Sequence, residues 1–304
     1  MQNKMKLINK LKHIKKLKIK ENVKLSPYTT FKVGGTADIF LIPENITALK
    51  KCIKVITTHK VPWFVLGKGS NIIVSDRGFE GTVIYMGELT KVTVQKNILI
   101  SETGITLNKL AGAALEAGLS GLEFAAGIPG TLGGALFMNA GAYGDEIKNL
   151  LKNTEVINCQ GKKGILTSEE MNFSYRHSCL QKKDVIAVKA SLKLKSDNKN
   201  KIKKRMKNLN QKRHKSQPLN RPSAGSAFKR PENHYAGALI ENTGLKGTSI
   251  GGAKVSEKHA GFIINTGNAT AKNIKELIHL IQNKVYEENG IMLEPEPEFI
   301  GNFD

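Results

Sequence analysis

Residues 37–71 read ADIFLIPENITALKKCIKVITTHKVPWFVLGKGSN, and within this stretch the spacing of apolar residues changes twice. Ala37, Ile39 and Leu41 fall on one side of an extended chain and Phe40 and Ile42 on the other, the pattern of a strand buried on both faces. Ile46, Leu49, Ile53 and Ile56 then recur at helical spacing, and Val61 to Leu66 returns to a strand. Such a β-α-β start predicts a domain of mixed strands and helices. Gly67 and Gly69 follow the second strand directly, where the main chain is free to approach a ligand.

Working outward, Ile72 to Ser75 and Thr82 to Met86 read as short strands. Leu107, Leu110, Ala111, Ala114 and Leu115 form a helix face that stops at Gly118, the residue type expected just past a helix end. Val156 to Asn158 and Gly164 to Thr167 flank a Gln-Gly-Lys-Lys turn and predict a hairpin, and Ile186 to Leu194 alternates as a strand. Ile202, Met206 and Leu209 mark an exposed helix within a lysine-rich stretch, with a domain boundary near 198. A Gly/Ser/Asn-rich region runs to about Asn268. Ile274, Leu277, Ile278, Ile281 and Val285 then share one face of a helix capped by Thr270 or Asn273.

A chain of 304 residues is long enough for about two domains with sizeable cores. With 40% apolar and 24% charged residues, disordered, collagenous and membrane-spanning classes are disfavoured. The net charge of +21 is concentrated in two places. Residues 1–20 hold eight lysines and no acid, and Lys193 to Lys215 hold eleven Lys/Arg against Asp197 alone. No helix-turn-helix, zinc-finger or RNP-type pattern accompanies either run, so solvated faces are expected rather than a nucleic-acid site. Leu7, Leu11, Ile14 and Leu17 fit a basic amphipathic helix touching a membrane surface or the rest of the protein, although a plain N-terminal extension is the reading preferred. Cys52, Cys159 and Cys179 lack disulfide or zinc spacing and read as reduced cysteines of a cytoplasmic protein, with no metal expected.

Three glycine-rich stretches stand apart from ordinary turns: Val33-Gly34-Gly35, Leu66 to Asn71, and Gly127 to Gly134 followed by Asn139 to Gly144. Glycines of this kind let several main-chain N–H groups face phosphate oxygens. The Gly67 loop lacks the third glycine of the dinucleotide fingerprint, since Ile72 stands there, and no G-x-x-x-x-G-K-[ST] occurs. A diphosphate-bearing cofactor outside those two folds is the sharper reading.

From about Leu25 to Gly301 the chain resembles the UDP-N-acetylenolpyruvoylglucosamine reductase family, within the superfamily of PCMH-type FAD-binding proteins. The segments carrying the resemblance are Tyr28 to Gly35, Leu66 to Asn71, Ala126 to Tyr143, Phe173-Ser174-Tyr175-Arg176-His177-Ser178, Pro222 to Pro231, Gly251 to Asn265 and Leu293-Glu294-Pro295-Glu296. The resemblance implies an α+β fold: a two-lobed PCMH-type FAD-binding domain over 25–198, with lobes of about 25–86 and 87–198. A basic extension (1–24) precedes it. A basic linker helix (199–218) and a smaller α+β substrate-binding domain (219–304) follow.

It also implies FAD held by Gly67, Lys68, Gly69, Ser70 and Asn71, by Gly127, Pro129, Gly130, Thr131, Gly133 and Gly134, and by Asn139, Ala140 and Gly141. NADPH is the implied co-substrate, reducing FAD, which then passes hydride from N5 to C3 of an enolpyruvyl ether of UDP-N-acetylglucosamine to give UDP-N-acetylmuramate. Arg176 is implied as the stabiliser of charge on the substrate carboxylate, Ser226 as the proton donor to C2, and Glu296 as a polarising or positioning acid. Tyr175, Arg213 and Arg230 are the implied substrate contacts. A monomer acting on small molecules in peptidoglycan precursor synthesis is expected, without a nucleic-acid partner or integral membrane association.

Chemistry supports those residue types. Guanidinium binds both carboxylate oxygens and keeps its proton, which suits a developing enolate. A serine hydroxyl is a weak acid, yet the carbanion-like centre is strongly basic and positioning supplies the rest. Three departures from the family pattern bear on the site. Ser216 precedes Gln217-Pro218 where a basic residue is common, which leaves Arg213 or Lys215 to meet the substrate diphosphate. Pro297-Glu298 stands where many members show Val-Arg, placing an added acid beside Glu296 and raising its expected pKa. The run after Ser226 resembles members lacking an extra tyrosine loop, so a more open site is expected. Two other classes compete: a flavin oxidase of the same superfamily, and a basic module binding nucleic acid or anionic membrane through its lysine runs.

Overall fold

The computed structural model describes residues 2–182 and 185–303. Its first elements follow from the opening pattern. Strand β2 (Thr36–Pro43) buries Ala37, Phe40 and Leu41 completely, α2 (Ile46–Thr58) turns Leu49, Cys52, Ile53 and Ile56 inward, and β3 (Trp63–Leu66) follows. Asn45 caps α2 by accepting the Ala48 N–H at 2.8 Å. Further along come β4 (Ile72–Val74) and β5 (Phe79–Tyr85), and β3 pairs in parallel with β5 from Trp63/Thr82 to Leu66/Tyr85.

The chain forms two compact units, each assembled from separate stretches: 1–21, 39–68 and 81–211 in the first, and 22–38, 69–80 and 212–304 in the second. A linear division at 24, 198 and 218 groups 25–38 and 69–80 with the first domain, whereas the units group them with the C-terminal stretch.

In the first unit two cores form. One gathers α2 and the sheet of order β1-β2-β5-β3, where β1 is Leu17–Lys24. The N-terminal lysine-rich stretch is no plain extension. It forms α1 (Gln2–Lys12), whose Leu7 and Leu11 are fully buried and which, with Ile8 and Ile14, joins that core. Lysines between these positions point to water, so charge on one face and apolar residues on the other are reconciled by packing inward. Each buried leucine contributes about 1.5–3 kcal/mol.

The second core belongs to a five-stranded sheet of order β12-β11-β13-β7-β6: β6 (Val92–Gln95), β7 (Ile98–Glu102), β11 (Leu151–Asn158), β12 (Lys163–Thr167) and β13 (Val185–Lys193). The expected 156–167 hairpin is the β11/β12 pair, with Val156 opposite Gly164. Helix α3 (Leu107–Glu116) buries Leu107, Leu110, Ala111 and Ala114 against this sheet's core and gives way to Gly118 at φ 67°. Two-residue pairs link β8 (Leu119–Ser120) with β14 (Lys195–Ser196) and β9 (Gly141–Ala142) with β10 (Asp145–Glu146). The basic helix α5 (Lys199–Ser216) is no free linker: Ile202 is 1% exposed, and Met206 and Leu209 pack on the same core. Arg205 of α5 binds Glu123 at 2.7 Å and Asp197 at 2.6 Å.

The second unit packs helices α6 (Ala236–Asn242) and α7 (Ala271–Asn289) with the sheet β15-β16-β17 (Ser249–Ile250, Ala253–Val255, Ile263–Asn265). Helix α6 and the three strands lie in the Gly/Ser/Asn-rich region. Thr270 and Asn273 both cap α7, as a reciprocal capping box. The last strand, β18 (Glu298–Ile300), runs parallel to β4, with Glu298 opposite Ile72. Phe31, Val33 and Ile73 complete the core around α6 and α7.

Candidate active site

Two of the glycine-rich stretches meet in the first unit. A Cβ on Gly67 would overlap Thr131 Oγ1 and touch Thr131 Cγ2 at 3.3 Å, so only glycine admits this approach. Thr131 in turn caps α4 (Leu132–Phe137), accepting the Gly134 N–H at 3.3 Å. The run read as one loop therefore ends in a helix. Leu132 N–H is bound to Ile105 carbonyl at 2.9 Å and Gly133 N–H to Thr103 carbonyl at 2.8 Å. Gly133 is needed for closeness, because an added Cβ would lie 3.2 Å from Thr103. Gly127 and Gly130 are half-buried, Pro129 before Gly130 is exposed, and so is Lys68 after Gly67.

Asn139 is fully buried, and its φ of 43° puts it in the left-handed region that asparagine tolerates better than most residues. Its amide donates to Glu146 at 2.8 Å and to the Ser174 carbonyl at 3.1 Å, and its own carbonyl oxygen accepts the Lys148 N–H at 3.1 Å. The side chain is thus occupied as a staple, and Ala140 beside it is bound through its main chain, donating to the Ala135 carbonyl at 2.9 Å and accepting the Ile147 N–H at 3.0 Å. Gly141 is fixed by the β9/β10 hairpin, since a Cβ would press on Asp145 and Glu146.

The staple holds the turn that carries Arg176. Ser174 and His177 exchange main-chain hydrogen bonds of 3.1 and 3.2 Å, so Tyr175 and Arg176 form a two-residue tip. Arg176 has φ 54°, a conformation costing a non-glycine residue about 1–2 kcal/mol. Tyr175 is 50% exposed, and the Arg176 guanidinium lies 4.9 Å from its ring centre. Gln181 donates to the Arg176 carbonyl at 3.0 Å and to the Phe137 carbonyl at 3.1 Å, and the buried Ser178 hydroxyl also donates to Phe137, at 2.9 Å. Neither Gln181 nor Ser178 is distinguishable by residue type or spacing in the sequence.

In the second unit Ser226 and Glu296 are brought onto adjacent main chains. Ala227, next to Ser226, accepts the Glu296 N–H at 3.1 Å, and Lys229 N–H donates to the Glu294 carbonyl at 2.8 Å. The Ser226 loop is held from three further sides. Thr30 Oγ1 donates to the Ser223 carbonyl at 2.7 Å, Asn265 N–H to Pro222 at 2.8 Å, and Ala227 N–H to Gly261 at 2.8 Å. Asn71 locks the Glu296 segment, donating from its side chain to the Glu296 carbonyl at 3.1 Å while its own carbonyl accepts the Glu298 N–H at 2.9 Å. Gly69, at φ 62°, has no room for a Cβ beside the Tyr28 main chain, and its carbonyl accepts the Thr30 N–H at 3.0 Å. Ser70, between Gly69 and Asn71, is half-buried.

The electrostatics of this unit centre on lysine and carboxylate. Lys229 binds Glu294 at 2.5 Å. Glu298 is the acid whose pKa rises: crowding by protein atoms pushes it above the usual carboxylate range, partly offset by Lys229. Its residue nevertheless keeps substantial solvent contact. His259 supports the Ser226 loop, with Nδ1 accepting the Gly261 N–H at 3.1 Å and the ring edge-on to Phe262. Burial lowers its pKa, which keeps that nitrogen an acceptor. Arg230 is exposed and stacks 4.1 Å from the Tyr235 ring centre, and Arg213 is half-buried near the end of α5. Among the described residues, no group of three or more His, Cys, Asp or Glu is placed to hold a metal, and no helix is long and apolar enough to cross a membrane. Cys52 and Cys179 are buried, and burial pushes the Cys52 thiol up to about 12.

A lobed α+β unit with paired glycine-rich turns, joined in sequence to a smaller α+β unit, defines a class of flavin-dependent enzymes, and residues 37–163 match the model of an FAD-binding domain. Residues 217–300 match that of the C-terminal domain of UDP-N-acetylenolpyruvoylglucosamine reductase. The chain is 48% identical over 284 residues to the enzyme of that name from Caldanaerobacter subterraneus subsp. tengcongensis, covering 93% of this chain and 94% of the relative. It is 44% identical to that from Anoxybacillus flavithermus, covering 97% and 99%. The crystal structure of UDP-N-acetylenolpyruvylglucosamine reductase from Thermus caldophilus superposes with a TM-score of 0.81 at 38% identity, covering 93% and 99% of the two chains. The chain belongs to the UDP-N-acetylenolpyruvoylglucosamine reductase family.

Proposed function

We propose that the protein is an NADPH-dependent flavoenzyme of the cytoplasm that reduces UDP-N-acetylglucosamine enolpyruvate to UDP-N-acetylmuramate as a monomer. The observation that supports this reading is the main-chain bond from the Glu296 N–H to the Ala227 carbonyl at 3.1 Å, which makes the backbones of the Ser226 and Glu296 segments neighbours.

The residues present fit FAD. Glycines at 67, 69, 127 and 130 with the hydroxyls of Ser70 and Thr131 are residue types suited to a diphosphate. Gly67, Lys68, Gly69, Ser70 and Asn71 would hold it, as would Gly127, Pro129, Gly130 and Thr131. Gly133 and Gly134 act by allowing closeness, since their N–H groups are bound within the protein. Asn139, Ala140 and Gly141 would border it, with the Asn139 side chain and the Ala140 main chain committed to the protein. When bound, FAD supplies a hydride that is taken from NADPH and delivered to C3 of the enolpyruvyl ether.

The chain's own groups then handle charge and proton. Arg176 offers a fixed planar cation to the substrate carboxylate, on which negative charge accumulates as C3 gains hydride. Its tight turn presents the side chain without a long flexible tether. Ser226 Oγ delivers a proton to C2, and its loop, held by Thr30, Asn265 and Gly261, limits where the hydroxyl travels. Glu296 orients the carboxylate end of the substrate or shares its proton. Tyr175, Arg213 and Arg230 supply aromatic and cationic contacts to the nucleotide diphosphate.

The test is spectroscopic. Anaerobic NADPH bleaches the flavin, and the enolpyruvyl nucleotide restores it. Ser226→Ala leaves bleaching nearly intact and slows recovery by roughly 10²- to 10⁴-fold, the range for a general acid. Equal loss in both half-reactions contradicts the role of Ser226, and a preparation that takes up no FAD contradicts the whole reading.

A further inference from the structure

We propose that Gln181 is a positioning residue for Arg176, a role that rests on the reading of Arg176 given above. The Gln181 amide has two hydrogens and meets two carbonyl oxygens, Arg176 at 3.0 Å and Phe137 at 3.1 Å, with Met138 Sδ at 3.6 Å beside them. Two carbonyls demand a donor, which fixes which end of the amide faces them. The bond to Arg176 clamps the peptide that follows its left-handed φ, and the bond to Phe137 ties that peptide to the end of α4. Asn139 holds the other side of the same turn through Ser174. The tip is thus gripped at both ends, and Gln181 is the grip on the Arg176 peptide itself.

A residue that only stabilised the fold would disturb both half-reactions alike or neither. Gln181 acts on the group meant for the substrate carboxylate, so its loss falls on the second half-reaction. Ser178 gives the control: its hydroxyl binds the same Phe137 carbonyl but not Arg176.

The experiment compares Gln181→Leu, Gln181→Glu, Gln181→Lys, Ser178→Ala and Arg176→Ala in FAD-loaded enzyme. Each is followed by stopped-flow absorbance through reduction by NADPH and re-oxidation by the enolpyruvyl nucleotide. Gln181→Leu is expected to slow re-oxidation roughly tenfold to a hundredfold, the range for a catalytic group misplaced by about an ångström, with reduction unchanged. Gln181→Glu, close in size but facing both carbonyls with a carboxylate, does the same and recovers as pH falls and the acid becomes a donor. Gln181→Lys, whose ammonium donates to both carbonyls, restores most of the rate. Ser178→Ala lowers the melting temperature and leaves both half-reactions unaltered. If Gln181→Leu fails to fold, the contrast between Glu and Lys decides the matter.

Equal rates for those two, or a re-oxidation loss in Ser178→Ala matching that in Gln181→Leu, overturns the assignment. If Arg176→Ala slows re-oxidation and no Gln181 variant does, this inference alone fails. If Arg176→Ala re-oxidises normally, the reading of Arg176 fails with it.

Discussion

Replacing Gly67 by alanine tests the meeting of the two glycine-rich segments. The new methyl would overlap Thr131 Oγ1, and it would sit 3.3 Å from Cγ2 and 3.4 Å from Cβ. Overpacking of this kind costs about 1–3 kcal/mol. For a unit of this size each kcal/mol lowers Tm by roughly 2–4 °C. Thr131→Ala by itself loses the cap on Gly134, about 1 kcal/mol. In the double variant, however, both offending atoms are gone and only Cβ remains, at the ordinary contact distance of 3.4 Å. Gly67→Ala/Thr131→Ala should therefore be little worse than Thr131→Ala alone, a coupling of about 1–3 kcal/mol between the substitutions. The assay is urea unfolding of the four proteins, with flavin content measured after reconstitution. Gly67→Ala alone is expected to lose most of its FAD, and the double variant to hold as much FAD as Thr131→Ala alone. Additive costs would refute the claim that Thr131 is what forbids a side chain at 67.

Two further predictions concern the first unit. Leu11→Ala should cost about 2–5 kcal/mol, as for a fully buried leucine, and deletion of residues 1–16 should destabilise more; denaturation curves unchanged by either would remove α1 from the core. Burial alone would raise the Glu123 pKa, but Arg205, the Gly121 N–H and Ser120 hold it below the usual range. A carboxyl with a depressed folded pKa stabilises fully above its unfolded pKa of about 4.3, and that stability is lost as pH falls through the folded value. Arg205→Ala should therefore cost about 1–3 kcal/mol near neutral pH, because it strips a buried carboxylate of its partner, and the penalty should shrink in acid. A penalty independent of pH would contradict this.

Much of the fold was legible because period and punctuation agreed. The stretch from Ala37 to Leu66, the face of α3 ending at Gly118, the β11/β12 hairpin and the reciprocal cap of α7 all follow from local pattern. The N-terminal segment was misjudged because eight lysines outweighed Leu7, Leu11 and Ile14, although lysines on the outer face of an amphipathic helix cost the packing nothing. Within the Gly/Ser/Asn-rich region before Asn268 no elements are legible, because α6 and three strands of two or three residues are too short to show a period. At the site, the meeting of Gly67 with Thr131 and of Asn71 with Glu296 joins residues far apart in sequence, which no spacing rule reveals. Asn139 shows the opposite limit: the family resemblance implied a cofactor contact there, whereas its three hydrogen bonds commit the side chain to the protein.

The parallel pairing of Ile72–Val74 with Glu298–Ile300 has a consequence for biosynthesis. A ribosome adding about 5–20 residues per second needs roughly 10–45 s to travel from one partner to the other. Phe31, Val33 and Ile73 emerge long before α6 and α7, the helices that cover them, and before β18, which pairs with β4. The last dozen residues are thus a closing stitch, and messages truncated shortly before Glu298 should yield chains that chaperones hold and proteases clear.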